Sequence, residues 1–185
     1  PLGMGAAALG GDGGARGPVA RLAVDGEPIV AGVVPEVDAR AVDRRLDLRG
    51  LDASSRYTAL AVREALGSAA IRARPAVLAR VGLVLGIAAG PGQGEALHLR
   101  ATFENDFVLG SVGAFPYVVP NEVAGNVARA LMLKGHNTVI AAGLGAGLAA
   151  LASAATAVGA RHVDTVIAAA ADELTERLVT DGVRT

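Results

Sequence analysis

The segment 137–152, NTVIAAGLGAGLAALA, constrains the fold of this chain more than any other. It begins as a β-branched apolar run, breaks at Gly143-Leu144-Gly145-Ala146-Gly147 and continues as an alanine-rich helix pattern. Because no charged residue interrupts it, we expect a buried strand, a tight turn and a buried helix in succession. Glycines on both sides of Leu144 allow a strained turn of the kind that presents a nucleophile, but a leucine side chain has no nucleophilic atom.

Composition restricts the classes of function open to the chain. With 185 residues, of which 52% are hydrophobic, the chain is long enough for one domain with a substantial core. A formal net charge of −1 and the lack of an evident basic patch argue against nucleic acid or an anionic membrane surface as a partner. The absence of cysteine excludes disulfides and zinc–thiolate sites, and we expect a cytoplasmic protein.

Two regions are expected along the chain. Residues 1–25 are glycine-rich and weakly patterned, which predicts a flexible lead-in, with residues 1–3 as a tag remnant. Residues 26–185 form the predicted domain. The uncharged run 138–160 is long enough to span a bilayer, but its alanine and glycine content favours a buried strand-turn-helix, so we expect no membrane partner.

Strand and helix patterns alternate through the predicted domain. Apolar β-like runs occur at 29–34, 80–86, 139–142 and 165–171. Helix patterns occur at 53–66, 95–104, 121–133 and 147–158, with Leu60, Ala61, Ala65 and Leu66 as the inward stripe of the first and Gly135 as the cap of the third. This alternation predicts a layered α/β domain with a largely parallel sheet.

The glycine turn could also belong to a dinucleotide-binding site. In such a site backbone N–H groups bind a pyrophosphate at the helix start, and Asp172 after the next strand would bind the ribose. Leu148 stands where that pattern requires glycine or alanine, and the unit lies late in the chain. We therefore expect no nucleotide and no other cofactor.

The ionisable side chains offer no evident active site. Ser54-Ser55-Arg56 stands at a helix start, where capping is a commoner role than nucleophilic attack. Asp172-Glu173 with Glu176 suits the first turn of a helix on a solvated face. The histidines are not at metal-binding spacing, so we expect no metal site and no catalytic residue among His98, His136 and His162.

Several segments, in order, resemble the N-terminal half of a β-ketoacyl synthase, the condensing enzyme of fatty-acid and polyketide assembly in the thiolase-like superfamily. The resemblance covers 34–173 and is carried by Val34–Asp38, Leu51–Arg56 with Ala61–Leu66, Arg80–Gly86, Phe115–Asn121 with Ala124-Gly125, Lys134–Asn137 and Val166–Glu173. It implies a single thiolase-like half-domain, layered α/β/α, with a mixed, largely parallel five-stranded sheet.

Two departures from that family bear on function. The resemblance places Leu144 at the position of the catalytic cysteine, with Gly143, Gly145 and Gly147 shaping the elbow, and leucine cannot accept an acyl group. The catalytic histidines and lysine of the family belong to a C-terminal half that lies beyond this sequence. The resemblance therefore implies a truncated, ketosynthase-like protein without condensing activity, similar to the chain-length factor, an inactive partner of a ketosynthase that also lacks the cysteine.

The resemblance also implies a partner, because the halves of this family pack together and the active-site strand pairs across a dimer interface. An isolated half would expose those apolar surfaces, including the strand 138–142. We expect a homodimer or a heterodimer with a thiolase-fold ketosynthase, with an acyl carrier protein as a further partner. The residues expected at the interface or an acyl pocket are Phe107, Phe115, Pro116, Tyr117, Asn121 and Asn137, and Leu144 is expected to be packed in an apolar pocket or interface.

The pathway implied is of the type II polyketide or fatty-acid-like kind, with this chain as an accessory subunit. The alternative is an enzyme that has acquired different chemistry on a carrier-bound acyl thioester in the former ketosynthase pocket. In that case backbone N–H groups around Leu144 and Gly145 would form an oxyanion hole.

Overall fold

The computed structural model describes residues 19–24, 27–32, 38–90, 92–104 and 118–173 of the chain. The strands in these ranges are β1 (Val19–Val24), β2 (Glu27–Gly32), β3 (Val81–Ile87), β4 (Asn137–Ala141) and β5 (Thr165–Ala170). The helices are α1 (Ala39–Val42), α2 (Ala53–Ser68), α3 (Pro75–Leu78), α4 (Gly92–Glu104), α5 (Glu122–Leu131) and α6 (Ala146–Gly159). None of these helices is both long enough and apolar enough to cross a bilayer.

Strands β3, β4 and β5 form a parallel sheet in the order β4-β3-β5. Leu83 at the middle of β3 lies opposite Ile167 of β5. Because the three strands run in the same direction, their carboxyl ends at Ile87, Ala141 and Ala170 lie along one edge of the sheet. We call it the carboxyl edge, and it carries the turn that leads into α6.

Helices cover both faces of this sheet. The central strand β3 is buried along its whole length, as its uninterrupted apolar pattern predicts. Leu83 and Leu85 belong to the larger core, which includes α2 and α5, whereas Val84 packs with Ala150 and Ala154 of α6. Since successive side chains of a strand point to opposite faces, α6 lies across the sheet from α2 and α5. The predicted layered α/β/α arrangement is confirmed.

The other two strands, β1 and β2, pair antiparallel in a separate sheet, with Val19 opposite Gly32. Two residues separate them in the chain, which suits antiparallel pairing, whereas parallel neighbours need a longer crossover. The predicted single five-stranded sheet is therefore not confirmed, because the strands of the described residues fall into two sheets. Strand β1 lies within the predicted lead-in 1–25, and the domain boundary at residue 26 stays a prediction.

Helix α5 ends earlier than the sequence predicts, at Leu131. Met132, not Gly135, takes the left-handed conformation that closes the helix, with a φ of 58°. Gly135 has another role, because a Cβ atom there would lie 2.7 Å from the carbonyl oxygen of Val81. Glycine at this position lets the chain approach the start of β3 closely before β4 begins.

The buried face of α2 differs from the predicted stripe. Leu60 and Leu66 are buried as predicted, but Ala61 is half-buried and Ala65 is exposed. Val62 and the polar Ser55 are fully buried instead. The stripe is rotated because the first turn of α2 contacts polar groups of α5 as well as the apolar core.

Candidate functional site

The predicted elbow is present between β4 and α6, at the carboxyl edge of the sheet. A short 3₁₀-helix, Gly143–Gly145, connects the two elements. Gly143 has a φ of +55°, whereas Gly145 has an ordinary φ of −83°. The unusual backbone angle thus lies in the residue before Leu144, where glycine adopts it at little cost.

The start of α6 packs directly against the backbone of β3. A Cβ atom on Gly86 would lie 2.3 Å from the carbonyl oxygen of Ala146, closer than any real contact. A Cβ atom on Gly147 would lie 3.2 Å from the Cβ of Ala170, which is a tight contact. Gly86 and Gly147 therefore determine how closely the helix approaches the sheet, so only part of the glycine-rich segment serves the turn itself.

Leu144 projects from the turn with 80% of its surface exposed. The described part of the chain leaves this side chain uncovered, so the packing of Leu144 in an apolar pocket or interface stays a prediction. A hydrocarbon at this position supplies neither a nucleophile nor a proton donor.

An apolar surface continues from Leu144 along α6. Leu148 is 77% exposed and Leu151 is 58% exposed, and no charged residue occurs in this helix. A helix at the surface of a protein usually turns polar side chains to solvent, whereas one that is apolar on all sides is usually buried. We call this surface the outer face of α6, formed by Leu148, Leu151, Ala152, Ala155 and Val158.

Asp172 connects the ends of β5 and β3. Its carboxylate accepts hydrogen bonds from the backbone N–H groups of Ala88, Ala89 and Gly90, at 2.8 to 3.3 Å. Charge-assisted bonds of this kind hold the loop after β3 against the end of β5. The carboxylate that a dinucleotide site would use for ribose is therefore engaged in holding the fold together.

A cluster of polar side chains that the sequence did not indicate lies where α2 and α5 begin. Ser55 Oγ donates to Glu122 Oε1 at 3.4 Å, and the Asn126 amide donates to the same oxygen and to Ser55 Oγ. Asp52 caps α2, and Glu173 follows β5. We call this cluster the acidic junction, formed by Asp52, Ser55, Glu122, Asn126 and Glu173.

Burial distinguishes the acidic junction from an ordinary surface cluster. Glu122 is 8% exposed and Glu173 is 9% exposed, so the expectation of a solvated face is wrong for Glu173. Burial, together with the nearby Asp52 and Glu173 carboxylates, raises the pKa of Glu122 to about 7, against the hydrogen bond from Ser55, which lowers it. Nothing local in the sequence reveals this contact, since 67 positions separate Ser55 from Glu122.

Arginines gather on a groove that the sequence also did not indicate. The groove has a volume of about 1020 Å³ and lies beside α1 and the start of α2. Asp38 and Asp47 line it too, and Asp47 pairs with Arg49 at 2.7 Å, which holds the pKa of the Asp47 carboxyl well below its usual range. The expectation of no basic patch is therefore wrong. We call this surface the arginine groove, lined by Arg40, Arg44, Arg45, Arg49 and Arg56.

The remaining predicted site residues are only partly described. Asn137 begins β4, and its side-chain amide donates to the carbonyl of Ala124 at 3.4 Å. Asn121 precedes α5 without making a side-chain cap. Their proposed place at an interface or acyl pocket stays a prediction. The other four residues named for that role lie outside the described residues: Phe107, Phe115, Pro116 and Tyr117.

The histidines do not form a metal site in the described ranges. His136 Nε2 lies 2.8 Å from Thr138 Oγ1, a local contact two residues along the chain. Among the residues with described positions, no group of three or more His, Cys, Asp or Glu side chains could hold a metal ion.

Comparison with protein families assigns the chain. Residues 29–184 match the family model described as "Beta-ketoacyl synthase, N-terminal domain". The chain belongs to the β-ketoacyl synthase family. The match spans most of the sequence, and it extends the resemblance seen at 34–173 towards both ends.

Solved structures of ketosynthase-type proteins share this fold. "The ishigamide ketosynthase/chain length factor" is similar with a TM-score of 0.63 and 26% identity over 82% of this chain and 43% of that one. A β-ketoacyl synthase from Burkholderia phymatum STM815 shows the same fold, with a TM-score of 0.56 and 19% identity over 71% of this chain and 32% of that one. The chain thus spans less than half of each ketosynthase-type chain. No curated protein matches it.

The elbow of this ketosynthase-family chain can be tested at its glycines. Gly143→Ala should lower the free energy of unfolding by about 1 kcal/mol, because alanine resists a left-handed φ although no atom would lie within 4 Å of its Cβ. Gly145→Ala is the matched control, with equal space and an ordinary φ, and should change stability by less than about 0.5 kcal/mol. Chemical denaturation measures both, and equal losses would contradict the assigned geometry.

Proposed function

We propose that this chain is a non-condensing, ketosynthase-like accessory subunit that binds a ketosynthase in a type II polyketide or fatty-acid-like pathway. The observation that carries the proposal is the leucine at the tip of the elbow. If Leu144 occupies the position of the family's nucleophile, as the sequence predicts, no acyl-enzyme can form on this chain there. The chain would then contribute to the pathway by binding.

Two adjoining features support a protein partner. The outer face of α6 is apolar, and an exposed apolar patch of this kind marks an interaction surface more often than a free one. Strand β4 stands at the edge of the described three-stranded sheet, and no other described strand pairs with its outer side. An open edge strand accepts pairing with another chain. Both features flank the elbow, so one partner could cover all three.

A ketosynthase is the partner favoured by the comparison. The ishigamide protein, which is 26% identical to this chain, carries a name that joins a ketosynthase with a chain length factor. In this proposal our chain takes the place of the chain-length-factor subunit. A heterodimer is therefore favoured over a homodimer, and the interface would bury Leu144 together with the outer face of α6.

The arginine groove supports a carrier protein as an additional partner. Five exposed arginines line it, of which Arg49 is already paired with Asp47, and arginine is suited to bind carboxylates and phosphates through paired hydrogen bonds. A carrier protein with an acidic docking surface would be complementary to this groove. The groove is built from α1 and α2, which are separate from the outer face of α6, so both partners could bind together.

Co-expression with a ketosynthase from the same pathway tests the proposal. We expect the two chains to purify together and the mass of the complex to equal the sum of one copy of each. A homodimer mass without the ketosynthase would contradict the heterodimer. A monomer that binds neither ketosynthase nor carrier protein would overturn the accessory role. Turnover of a carrier-bound thioester by this chain alone would instead support an enzyme with new chemistry.

A further inference from the structure

The acidic junction contains a buried carboxyl oxygen that the described hydrogen bonds leave unsatisfied. Glu122 Oε1 accepts from Ser55 and Asn126, whereas Oε2 has no hydrogen-bond partner in the described part of the chain. Leaving a buried carboxylate oxygen without a donor is costly, and still more so when it is ionised. The environment of Oε2 therefore favours the form in which this oxygen carries a proton.

The neighbouring charges act in the same direction. Asp52 of α2 and Glu173 after β5 are the charged groups that act on the Glu122 carboxyl, and both are acidic. Arg129, two turns along α5, donates to the Asn126 side chain at 3.2 Å and not to Glu122. Two carboxyl groups in hydrogen-bond contact hold one proton between them more easily than they hold two negative charges.

Local hydrogen bonds indicate which carboxyl keeps the charge. Both oxygens of Asp52 accept from the backbone N–H of Ser55 at 3.3 Å, as the cap of α2. Oε2 of Glu122 has no such donor among the described residues. A proton on Glu122 gives the contact between the Glu122 and Asp52 side chains the donor that two ionised carboxylates lack.

We propose that Asp52 and Glu122 share one proton across the junction of α2 and α5, and that loss of this proton loosens the amino-terminal ends of both helices. The proton then connects two elements that are far apart in sequence but adjacent at the carboxyl edge. The junction lies on the face of the sheet opposite α6, so the proposed proton does not depend on a ketosynthase partner.

The sign of the pH dependence follows from the proton's location in the native state. The pKa of Glu122 is raised from an ordinary 4.5 to about 7 in the folded chain. Between these two pH values the folded state therefore holds a proton that the unfolded state releases. The contribution of Glu122 to the free energy of unfolding is fully present below pH 4.5 and is lost as the pH rises through 7. Between about pH 5 and pH 8 the unfolding equilibrium constant of the wild type should rise roughly 70-fold through this group alone.

Glu122→Gln in the full chain tests the proposal. Glutamine keeps the shape and can donate to Asp52 at every pH, so this rise should be absent and the variant should be more stable than the wild type at pH 8. Glu64→Gln, on the exposed side of α2, is the matched control and should keep the wild-type pH profile. Denaturant unfolding at both pH values measures the effect. A Glu122→Gln profile parallel to the wild type would overturn the proposal.

A second variant and two further measurements keep the proposal testable if Glu122→Gln folds poorly. Asp52→Asn retains the helix cap but removes the charge opposite Glu122, so it should reduce the pH dependence as well. Infrared spectra at neutral pH should show a protonated carboxyl band in the wild type that is weakened in Asp52→Asn. Hydrogen exchange at α2 and α5 should speed up above neutral pH beyond its intrinsic dependence. A fully ionised set of carboxyl groups at neutral pH would overturn the shared proton.

Discussion

Gly86→Ala should lower the free energy of unfolding by about 3 kcal/mol or more, the largest loss expected from a methyl group added to any glycine of the described residues. The added Cβ would lie 2.3 Å from the carbonyl oxygen of Ala146 and 2.9 Å from the backbone nitrogen of Gly147. Both are backbone atoms at the start of α6, so no side chain can rotate away. The clash would displace the helix start, and with it the elbow, from the central strand.

Gly125→Ala is the control for this measurement. Gly125 lies inside α5, where no atom would come within 4 Å of an added Cβ, so alanine should stabilise the chain by about 0.5 to 1 kcal/mol through helix propensity. Denaturant unfolding of the two variants should therefore give shifts of opposite sign. A Gly86→Ala variant as stable as the wild type would show that α6 does not approach β3 this closely.

The sequence predicts the elements of this fold better than their assembly. Strand β3 and helix α6 are recognised because each pattern is uninterrupted and is governed by neighbouring residues. The sheet is harder to predict, because pairing between β3, β4 and β5 joins residues far apart in the chain. Gly86 illustrates this limit, because the sequence shows a glycine there but not the close approach of α6 that requires it.

The site shows the same division between local and distant causes. The glycine at 143 and the leucine at 144 are readable from the sequence, because a tight turn is local. The burial of Glu122 depends on the packing of α5 against α2 and on Glu173 after β5. A glutamate at the start of a helix is ordinarily a solvated complement to the helix dipole, so its sequence context predicts the opposite environment.

The sequence does not indicate the arginine groove for a related reason. Aspartates interleave with the arginines between 38 and 49, so the local net charge of the sequence is small. In the folded chain a backbone hydrogen bond from Arg45 lowers the pKa of Asp43, and so does the contact with Arg63 of α2, which donates to the Asp43 carboxylate at 2.7 Å. One acid is thus turned towards α2, and the guanidinium groups line the groove. The distribution of charge on the surface thus depends on which acids pair with which arginines, and not only on how many of each the sequence contains.

Leu148→Asp should abolish the complex with a partner ketosynthase, weakening binding by about 100-fold or more. Leu148 is 77% exposed in the chain and lies between Leu144 of the elbow and the rest of the outer face of α6, which the proposed interface would bury. A carboxylate in that interface would lose its hydration without gaining a partner, which costs far more than the lost apolar contact. The stability of the free chain should change by less than about 0.5 kcal/mol, because the side chain faces solvent there.

Leu97→Asp separates a specific interface from general surface hydrophobicity. Leu97 of α4 is 60% exposed, so the substitution makes a similar change in surface polarity on a different helix. Calorimetric titration of the ketosynthase with each variant should show loss of binding for Leu148→Asp and retention for Leu97→Asp. Wild-type affinity in Leu148→Asp would remove the outer face of α6 from the interface and leave the edge of β4 as the surface to test. Loss of binding in both variants would show that association depends on exposed apolar area and not on a defined face.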